Sequence, residues 1–144
     1  MIDKSRIAIY DYLYNMFYGV VTNNVYSMTL PTDAVESDVD EGFLVTTVGD
    51  IQDESEFDGS AYAWCRCYVY AYVPKRSRGR LDKTKYKAFE DGINDVIKAQ
   101  ELSFDEKYYV MAESTISMDD NEDTQRGNQF TVFAKSFVVV INDK

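Results

Sequence analysis

The stretch SAYAWCRCYVYAYV, residues 60–73, separates into two rows when its side chains are read alternately. One row is small and apolar and consists of Ala61, Ala63, Cys65, Cys67, Val69, Ala71 and Val73. The other row is almost entirely aromatic and consists of Tyr62, Trp64, Arg66, Tyr68, Tyr70 and Tyr72. Because successive side chains of a strand point to opposite faces, this period of two predicts one strand, roughly 45 Å long at about 3.3 Å per residue. We expect a helix to pack on the small row, and the aromatic row to cover a second layer or contact another molecule.

The composition indicates a globular, acidic protein that is rich in tyrosine. Of its 144 residues, 45% are hydrophobic and 28% are charged, and we expect one α+β domain over residues 1–144. The net charge of −10 disfavours general nucleic-acid binding, which needs a cationic surface. Tyrosine, with twelve copies, is enriched at protein–protein interfaces. No apolar run approaches the ~20 residues of a membrane span, and the N-terminus lacks an apolar signal segment, so we expect a protein made and kept in a cytoplasm.

Cysteine and histidine usage argues against an enzyme or a metalloprotein. Cys65 and Cys67 would lie roughly 6.5–7 Å apart at Cα on one strand face, at or past the limit for a disulfide. We interpret them as small core residues. The chain contains no histidine, which removes the commonest general base and the usual metal ligand. We therefore expect no catalytic residue, no cofactor and no metal.

An amphipathic helix is predicted over residues 3–18, with Asp3 or Ser5 as its N-cap. Its apolar residues are not confined to one stripe, because Tyr12 and Met16 lie beside it. Two interpretations follow. The helix contacts both its own sheet and a neighbouring subunit, or it simply has a wide core face.

Two strands and two acidic loops are predicted between this helix and the long strand. Residues 25–30 alternate and stop before Pro31, which suits a short strand at the edge of a sheet. Residues 42–48 form a second strand. Residues 32–41 and 49–59 are acidic and rich in turn residues, and we interpret them as solvated surface loops that would form a negative patch if they lie on one side of the sheet.

The segment PKRSRGR, residues 74–80, is a basic anomaly in an acidic chain, with Lys75, Arg76, Arg78 and Arg80. The first interpretation is a salt contact with the acidic loops of a neighbouring copy, since a ring-forming interface joins two different patches. The second is plain solvated charge. The third is phosphate or nucleic-acid binding, for which arginine has the right geometry.

A second helix is predicted over residues 82–100, and two further strands over residues 108–118 and 129–141. Gly92 lies on or beside the apolar stripe of the helix, and a glycine there costs up to about 1 kcal/mol relative to alanine. Close packing on the small row of the long strand would explain it. Residues 119–128 are interpreted as the tip of a hairpin, because their acidic cluster lacks the glycine and the terminal glutamate of an EF-hand loop.

The predicted order is helix, strand, strand, long strand, helix, strand, strand: an α+β fold with one mainly antiparallel sheet and two helices packed on it. In this layout the whole chain resembles the tail-terminator (tail-completion, head–tail joining) proteins of tailed bacteriophages. The stretches that carry the resemblance are RIAIYDYLYNMFYG (6–19), AYAWCRCYVYAYV (61–73) with LDKTKYKAFEDGINDVIKAQ (81–100), and FTVFAKSFVVVI (130–141).

The resemblance implies a structural virion protein that forms an oligomeric ring, often a hexamer, at the phage neck or head–tail junction. It implies contacts with other neck and tail proteins, duplex DNA passing through the lumen without specific binding, and synthesis in the host bacterial cytoplasm. It implies no catalytic residue. The candidate interface residues are Tyr62, Trp64, Tyr68, Tyr70, Tyr72, Lys75, Arg76, Arg78, Arg80, Tyr12 and Met16.

A monomeric binding module is the alternative, with the aromatic strand face as a platform for a ligand or partner. An enzyme is a third class. Carboxylate pairs such as Asp119 with Asp120, or Glu54 with Glu56, are able to do acid–base work, but on acidic loops such pairs are far more often surface charge.

Overall fold

The computed structural model describes residues 5–27, 41–53, 62–76, 79–102, 106–113, 121–122 and 130–142. The helices are α1 (Arg6–Phe17) and α2 (Lys83–Glu101). The strands are β1 (Val25–Ser27), β2 (Phe43–Val48), β3 (Gln52–Asp53), β4 (Tyr62–Pro74), β5 (Tyr108–Ala112), β6 (Asn121–Glu122) and β7 (Phe130–Asn142).

The strands form one mixed sheet in the order β1-β2-β4-β7-β5, with β3 paired to β4 and β6 paired to β7. β1 runs parallel to β2, while the other pairs are antiparallel. The α+β class with two helices on the sheet is therefore confirmed. The predicted order matches only roughly, because β3 and β6 are additional short strands and β1 adds a parallel edge.

Strand β4 is the centre of the sheet, as the sequence predicts. It pairs with β7 along its whole length and with β2 on its other side. Its small row is completely buried under the helices and comprises Ala63, Cys65, Cys67, Val69, Ala71 and Val73. Small side chains let the helices approach the sheet closely, so the period-two pattern decides which face of the sheet becomes the core.

Helix α1 begins and is anchored as its sequence suggests. The Ser5 hydroxyl accepts a hydrogen bond from the backbone N–H of Ala8 at 3.2 Å, which caps the helix. Both backbone groups of Val48 at the end of β2 bind side chains of α1. The Val48 N–H donates to the Tyr10 hydroxyl at 3.1 Å, and Arg6 donates to the Val48 carbonyl oxygen at 2.5 Å. These bonds fix α1 against the end of β2 and satisfy groups that the sheet leaves unpaired there.

Gly92 does allow a close contact, but the predicted partner, the small row of β4, is wrong. A Cβ placed on Gly92 would lie 2.5 Å from Cγ1 of Val21 and 3.3 Å from Cγ1 of Val20, in the turn after α1. The glycine therefore accommodates that turn, and not the small row of β4. The sequence signals a close approach at Gly92 but does not say which segment approaches.

Cys65 and Cys67 are core residues with free thiols, in agreement with the prediction. Their sulfur atoms are 3.8 Å apart, the distance of a weak hydrogen bond. The hydrogen bond with Cys65, together with burial, raises the pKa of the Cys67 thiol. Both side chains are completely buried, so neither thiol is positioned to react with a solute.

The assignment of Met16 to an interface is wrong, because its side chain is buried in the core with Ile9, Leu13 and Phe17. Tyr12 is half-buried and its partners are within the chain. Its hydroxyl donates to Oε1 of Gln100 in α2 at 2.8 Å, and its ring lies 5.4 Å from that of Tyr108 in β5. The wide core face of α1 therefore accounts for both residues, since α1 packs on the sheet and contacts α2.

Replacing Tyr12 with phenylalanine tests this internal contact. Losing the bond to Gln100 is expected to lower the free energy of unfolding by about 1 kcal/mol at pH 8. Burial raises the pKa of Tyr12 to about 12, so above pH ~10 the unfolded chain releases this proton while the native chain keeps it. Wild-type stability should therefore fall relative to Tyr12→Phe as the pH rises from about 10 to 12. Urea unfolding at pH 8, 10 and 11 measures the difference, with the exposed Tyr14→Phe as the control. A pH-independent difference would contradict the buried hydroxyl.

Several predicted segments lie outside the described residues. They include the acidic segment 32–41 apart from Glu41, the acidic segment 49–59 beyond Asp53, and most of 119–128. Within 119–128, Asn121 and Glu122 form β6 and pair with Val132 and Thr131 of β7. This antiparallel pairing agrees with a hairpin, whose paired residues extend into the segment predicted to be its tip.

Candidate functional site: the open face of the sheet

The sheet has two unlike faces, because both described helices pack on the same one. The other face, which we call the open face, carries the described side chains of the aromatic row of β4, from Trp64 to Tyr72, and the side chains that the pairing register places beside them. Its main members outside β4 are Tyr26, Phe43, Val45, Thr47, Tyr109, Met111, Phe130, Val132, Ala134, Ser136, Val138 and Val140. This face is the candidate functional site, because no described helix packs on it and it keeps partly or largely exposed apolar side chains at Trp64, Tyr68 and Met111.

One end of the open face is a compact aromatic cluster. Phe43 stacks on Tyr72 with ring centroids 4.5 Å apart, and its ring is 5.0 Å from that of Phe130. Tyr26 meets Phe43 edge-on at 5.9 Å. Phe43 and Phe130 are almost completely buried by these neighbours. Tyr72 and its neighbour Tyr70 therefore cover a small second core, and part of the aromatic row stabilises the fold.

The middle of the open face carries a tyrosine pair. Tyr68 and Tyr70 are both half-buried, and their rings stack with centroids 6.3 Å apart. Opposite them on β7 are the small side chains of Ser136 and Ala134. Because these neighbours are small, the two tyrosine rings protrude beyond them and are accessible to a binding partner.

The other end of the open face is a shallow apolar hollow of about 350 Å³. Its walls come from three adjacent strands and from Glu113, and comprise Trp64, Arg66, Met111, Ala112, Glu113, Val138 and Val140. Met111 is 54% exposed at its rim. The volume is at the low end of the range for small-molecule pockets, and also suits one protruding apolar side chain.

A single ion pair closes one side of the hollow. Nε of Arg66 donates to both carboxylate oxygens of Glu113, at 2.9 and 3.0 Å. The hydrogen bond and the charge of Glu113 raise the pKa of the Arg66 guanidinium. Its side chain is 51% exposed, so the pair contributes little to stability and serves mainly to place a guanidinium at the edge of an apolar surface.

The structure separates the basic segment from the hollow. Lys75 and Arg76 follow the Pro74 end of β4, whereas Trp64 lies near the opposite end, about 35 Å or more away along the strand. The backbone N–H of Arg76 donates to the carbonyl oxygen of Arg80 at 2.7 Å, so these two residues lie side by side. Both arginines are exposed, and Nε of Arg76 is 3.9 Å from a carboxylate oxygen of Asp82.

The predicted interface residues thus fall into three places. Trp64, Tyr68, Tyr70 and Tyr72 lie on the open face, and the basic residues lie at one end of β4. Arg78 and the side chain of Tyr62 lie outside the described part of the chain. Tyr12 and Met16 belong to the other layer.

Sequence reasoning missed the wall of the hollow: Met111, Val138, Glu113 and the role of Arg66. A signal existed, because Met111 and Val138 occupy alternate positions in their strands. This alternation identifies a site only once the strand register is known. The register places Val138 of β7 between Met111 of β5 and Arg66 of β4.

The described residues contain no group of three or more histidine, cysteine, aspartate or glutamate side chains placed to hold a metal ion. No helix in the same part of the chain is long and apolar enough to cross a membrane. The described part of the open face offers aromatic rings, aliphatic groups and the Arg66 guanidinium.

Fold and surface together define an α+β protein whose mixed sheet is covered by helices on one side and presents an aromatic face on the other. No protein-family model matches the chain, and no curated protein matches it.

Proposed function

We propose that this protein is a structural assembly subunit that forms an oligomeric ring at the neck or head–tail junction of a tailed bacteriophage. The observation that carries the proposal is the open face, where Trp64, Tyr68 and Met111 present apolar surface that no described helix covers. Burial of such surface against a partner is the main driving force of association.

The chemistry of the open face supports a protein partner. Tyrosine, tryptophan, methionine and arginine are the residue types enriched in protein–protein interfaces, and all four occur here. Tyrosine and tryptophan combine a large apolar ring with a hydrogen-bonding group, so they can be solvated in the free protein and buried in a complex. No catalytic step is needed for this function.

The virion location rests on the resemblance of the layout to tail-terminator proteins. In that setting the partners are further copies of this chain and other neck or tail proteins, and DNA passes through the lumen. A net charge of −10 suits the last point, because a negative lumen does not hold duplex DNA. Synthesis would take place in the host bacterial cytoplasm.

Light scattering on a size-exclusion column, followed by negative-stain imaging, tests the proposal. We expect a concentration-dependent species of several times the 16.6 kDa chain mass, a hexamer by the resemblance, that closes into rings. Particles that retain the protein at the neck would support its location. A monomer at every concentration up to the millimolar range would contradict the assembly function.

A variant of the open face separates assembly from folding. Tyr68→Glu places a charge in the middle of the face, where ring surface is presented to the approaching partner, and should convert the oligomer to a monomer. Ala88→Glu on the exposed side of α2 adds the same charge elsewhere and is the matched control. Loss of assembly in both variants would point to charge repulsion in general and not to the open face.

A monomeric binding module is the second candidate, and the hollow beside Trp64 is the observation that favours it. A small aromatic or sugar ligand stacked on Trp64 would quench tryptophan fluorescence, and this chain has one tryptophan, which makes the signal specific. Saturable quenching of a stable monomer would favour the module over the ring.

A further inference from the structure

Helix α1 carries an exposed apolar stripe on the side that faces away from the sheet. Ile7 is 65% exposed, Tyr14 is 40% exposed and Tyr18, just after the helix, is 49% exposed. These positions, with the exposed Asp11 among them, recur at spacings of three and four residues and so form one face. The rings of Tyr14 and Tyr18 lie 5.4 Å apart, which makes the stripe continuous at its C-terminal end.

The second helix shows that this stripe is not a general property of the exposed helices. The exposed side of α2 is charged, with Lys83, Lys87, Asp91, Asp95 and Lys98, and Lys87 pairs with Asp91 at 2.8 Å. Such a surface is typical of a helix that stays in water. Of the two described helices, α1 therefore has the more continuous exposed apolar face.

The stripe and the hollow of the open face are complementary in charge. Asp11 is exposed and has no ion-pair partner among the described residues. Arg66 at the hollow has five N–H donors, and the described part of the chain engages only the one on Nε. Its Nη edge is thus able to take a second carboxylate from outside.

The two surfaces also match in length and in shape. From Ile7 to Tyr18 the stripe is about 16 Å long at 1.5 Å per residue. From Arg66 to Tyr70 the open face extends about 13 Å at 3.3 Å per residue. Ile7 projects from its helix, the hollow is a recess beside Arg66, and the Tyr68–Tyr70 pair would lie under Tyr14 and Tyr18.

We propose that the α1 stripe of one copy docks on the open face of the next, with Ile7 in the hollow beside Trp64 and Asp11 paired with Arg66. This inference rests on the proposed function and specifies its interface. The contact joins two different surfaces on opposite sides of the chain, so it is heterologous. Repetition of a heterologous contact generates a closed ring or an open filament, and never a closed dimer.

Disulfide trapping between two single variants tests the contact directly. One protein carries Ile7→Cys and the other Met111→Cys, both at exposed positions, while the native thiols are completely buried. Within one chain these positions lie on opposite layers, so a bond between them must join two molecules. Mixed under mild oxidation, they should give the heterodimer at least ten times faster than a mixture of Ala88→Cys with Met111→Cys.

Each outcome decides between the interface and the function. If the wild-type protein assembles and trapping is no faster than in the control mixture, the interface is wrong and the proposed function stands. If the wild-type protein is monomeric throughout, both fail. If Met111→Cys does not react with a small maleimide even in the dissociated Ile7→Asp background, where no neighbouring stripe is docked, the chain's own segments cover the hollow and the docking proposal is overturned.

A charge on the stripe gives an independent measurement. Ile7→Asp should weaken association by at least about 30-fold, the effect expected for loss of a central apolar anchor. Ala88→Asp adds the same charge to an exposed position of α2 and should change the dissociation constant by less than about threefold. Equal effects of the two variants would contradict the role of Ile7.

Discussion

Replacing Gly42 with alanine is expected to lower the free energy of unfolding by about 3 kcal/mol. Gly42 precedes β2 with a φ of +81°, a conformation that costs an L-residue about 1–2 kcal/mol. An added Cβ would also lie 2.7 Å from the carbonyl oxygen of Tyr72, 2.8 Å from Cζ of Phe89 and 2.9 Å from Cδ of Pro74. Relieving such overpacking typically costs a further 1–3 kcal/mol.

The position of Gly42 makes this strain hard to relieve by movement. Its carbonyl oxygen accepts hydrogen bonds from the Thr22 hydroxyl at 3.1 Å and from the Asn24 side chain at 3.3 Å. Two residues after it, the N–H of Leu44 donates to the carbonyl oxygen of Asn24 at 2.9 Å. Any shift of Gly42 would therefore disturb the start of the β1–β2 pair.

Gly79→Ala is the matched control for this prediction. Gly79 also has a positive φ, of +69°, but an added Cβ there meets no atom of the described residues within 4 Å. The Gly79→Ala variant should therefore lose only about 1 kcal/mol of unfolding free energy, the part that comes from the positive φ. Urea unfolding of the two variants measures the difference, which isolates the steric contribution. Equal losses would show that the close approach at Gly42 is easily relieved.

Truncation of Phe137 to alanine is expected to cost about 3–5 kcal/mol, the usual range for a buried phenylalanine. Phe137 is completely buried on the helix side of β7, where its ring is 6.0 Å from that of Phe17 in α1 and its register partners are Cys67 and Ala112. The loss combines the transfer free energy of the ring with the cavity it leaves. If Phe137→Ala does not fold, Phe137→Leu supplies a smaller, measurable loss.

Tyr68→Ala provides the comparison on the opposite face. Tyr68 lies on the same sheet, next to the register partner of Phe137, but it is half-buried on the open face. We expect a loss of about 1 kcal/mol from the smaller area that it buries. The pair therefore makes opposite predictions for two measurements: Phe137→Ala reduces stability, and Tyr68→Ala reduces assembly. A large stability loss in both would mean that the open face is part of the main core.

Much of the fold could be predicted from local patterns. The two rows of β4, the N-cap of α1 at one of its two candidate residues, Ser5, and the core position of the two cysteines all follow from patterns within one segment. The two short strands β3 and β6 lack such a pattern, since each is two residues long and exists only through its pairing with a longer strand. The parallel direction of β1 relative to β2 likewise depends on tertiary contacts and not on a local sequence pattern.

Only part of the candidate site could be predicted, because some of its contacts join residues that are far apart in the sequence. The aromatic row of β4 identified the open face. It did not show that Tyr72 would be occupied with Phe43 and Phe130, because those residues come from strands far apart in the chain. The exposed stripe of α1 could not be predicted from the sequence either. Its apolar residues look like core residues until the structure shows that Ile9 and Leu13 face the sheet and Ile7 and Tyr14 do not.

By itself the sequence determined that this chain forms a sheet around residues 60–73, with a small-residue side for a helix and an aromatic side for a second layer or another molecule. The period of two is a property of the backbone, so it needs no knowledge of neighbours. Only the tertiary structure decided which aromatic residues are covered, where the hollow lies, and that an apolar helix face is exposed on the opposite side. These depend on register between strands and on the rotation of α1 about its axis, which packing of the whole core fixes.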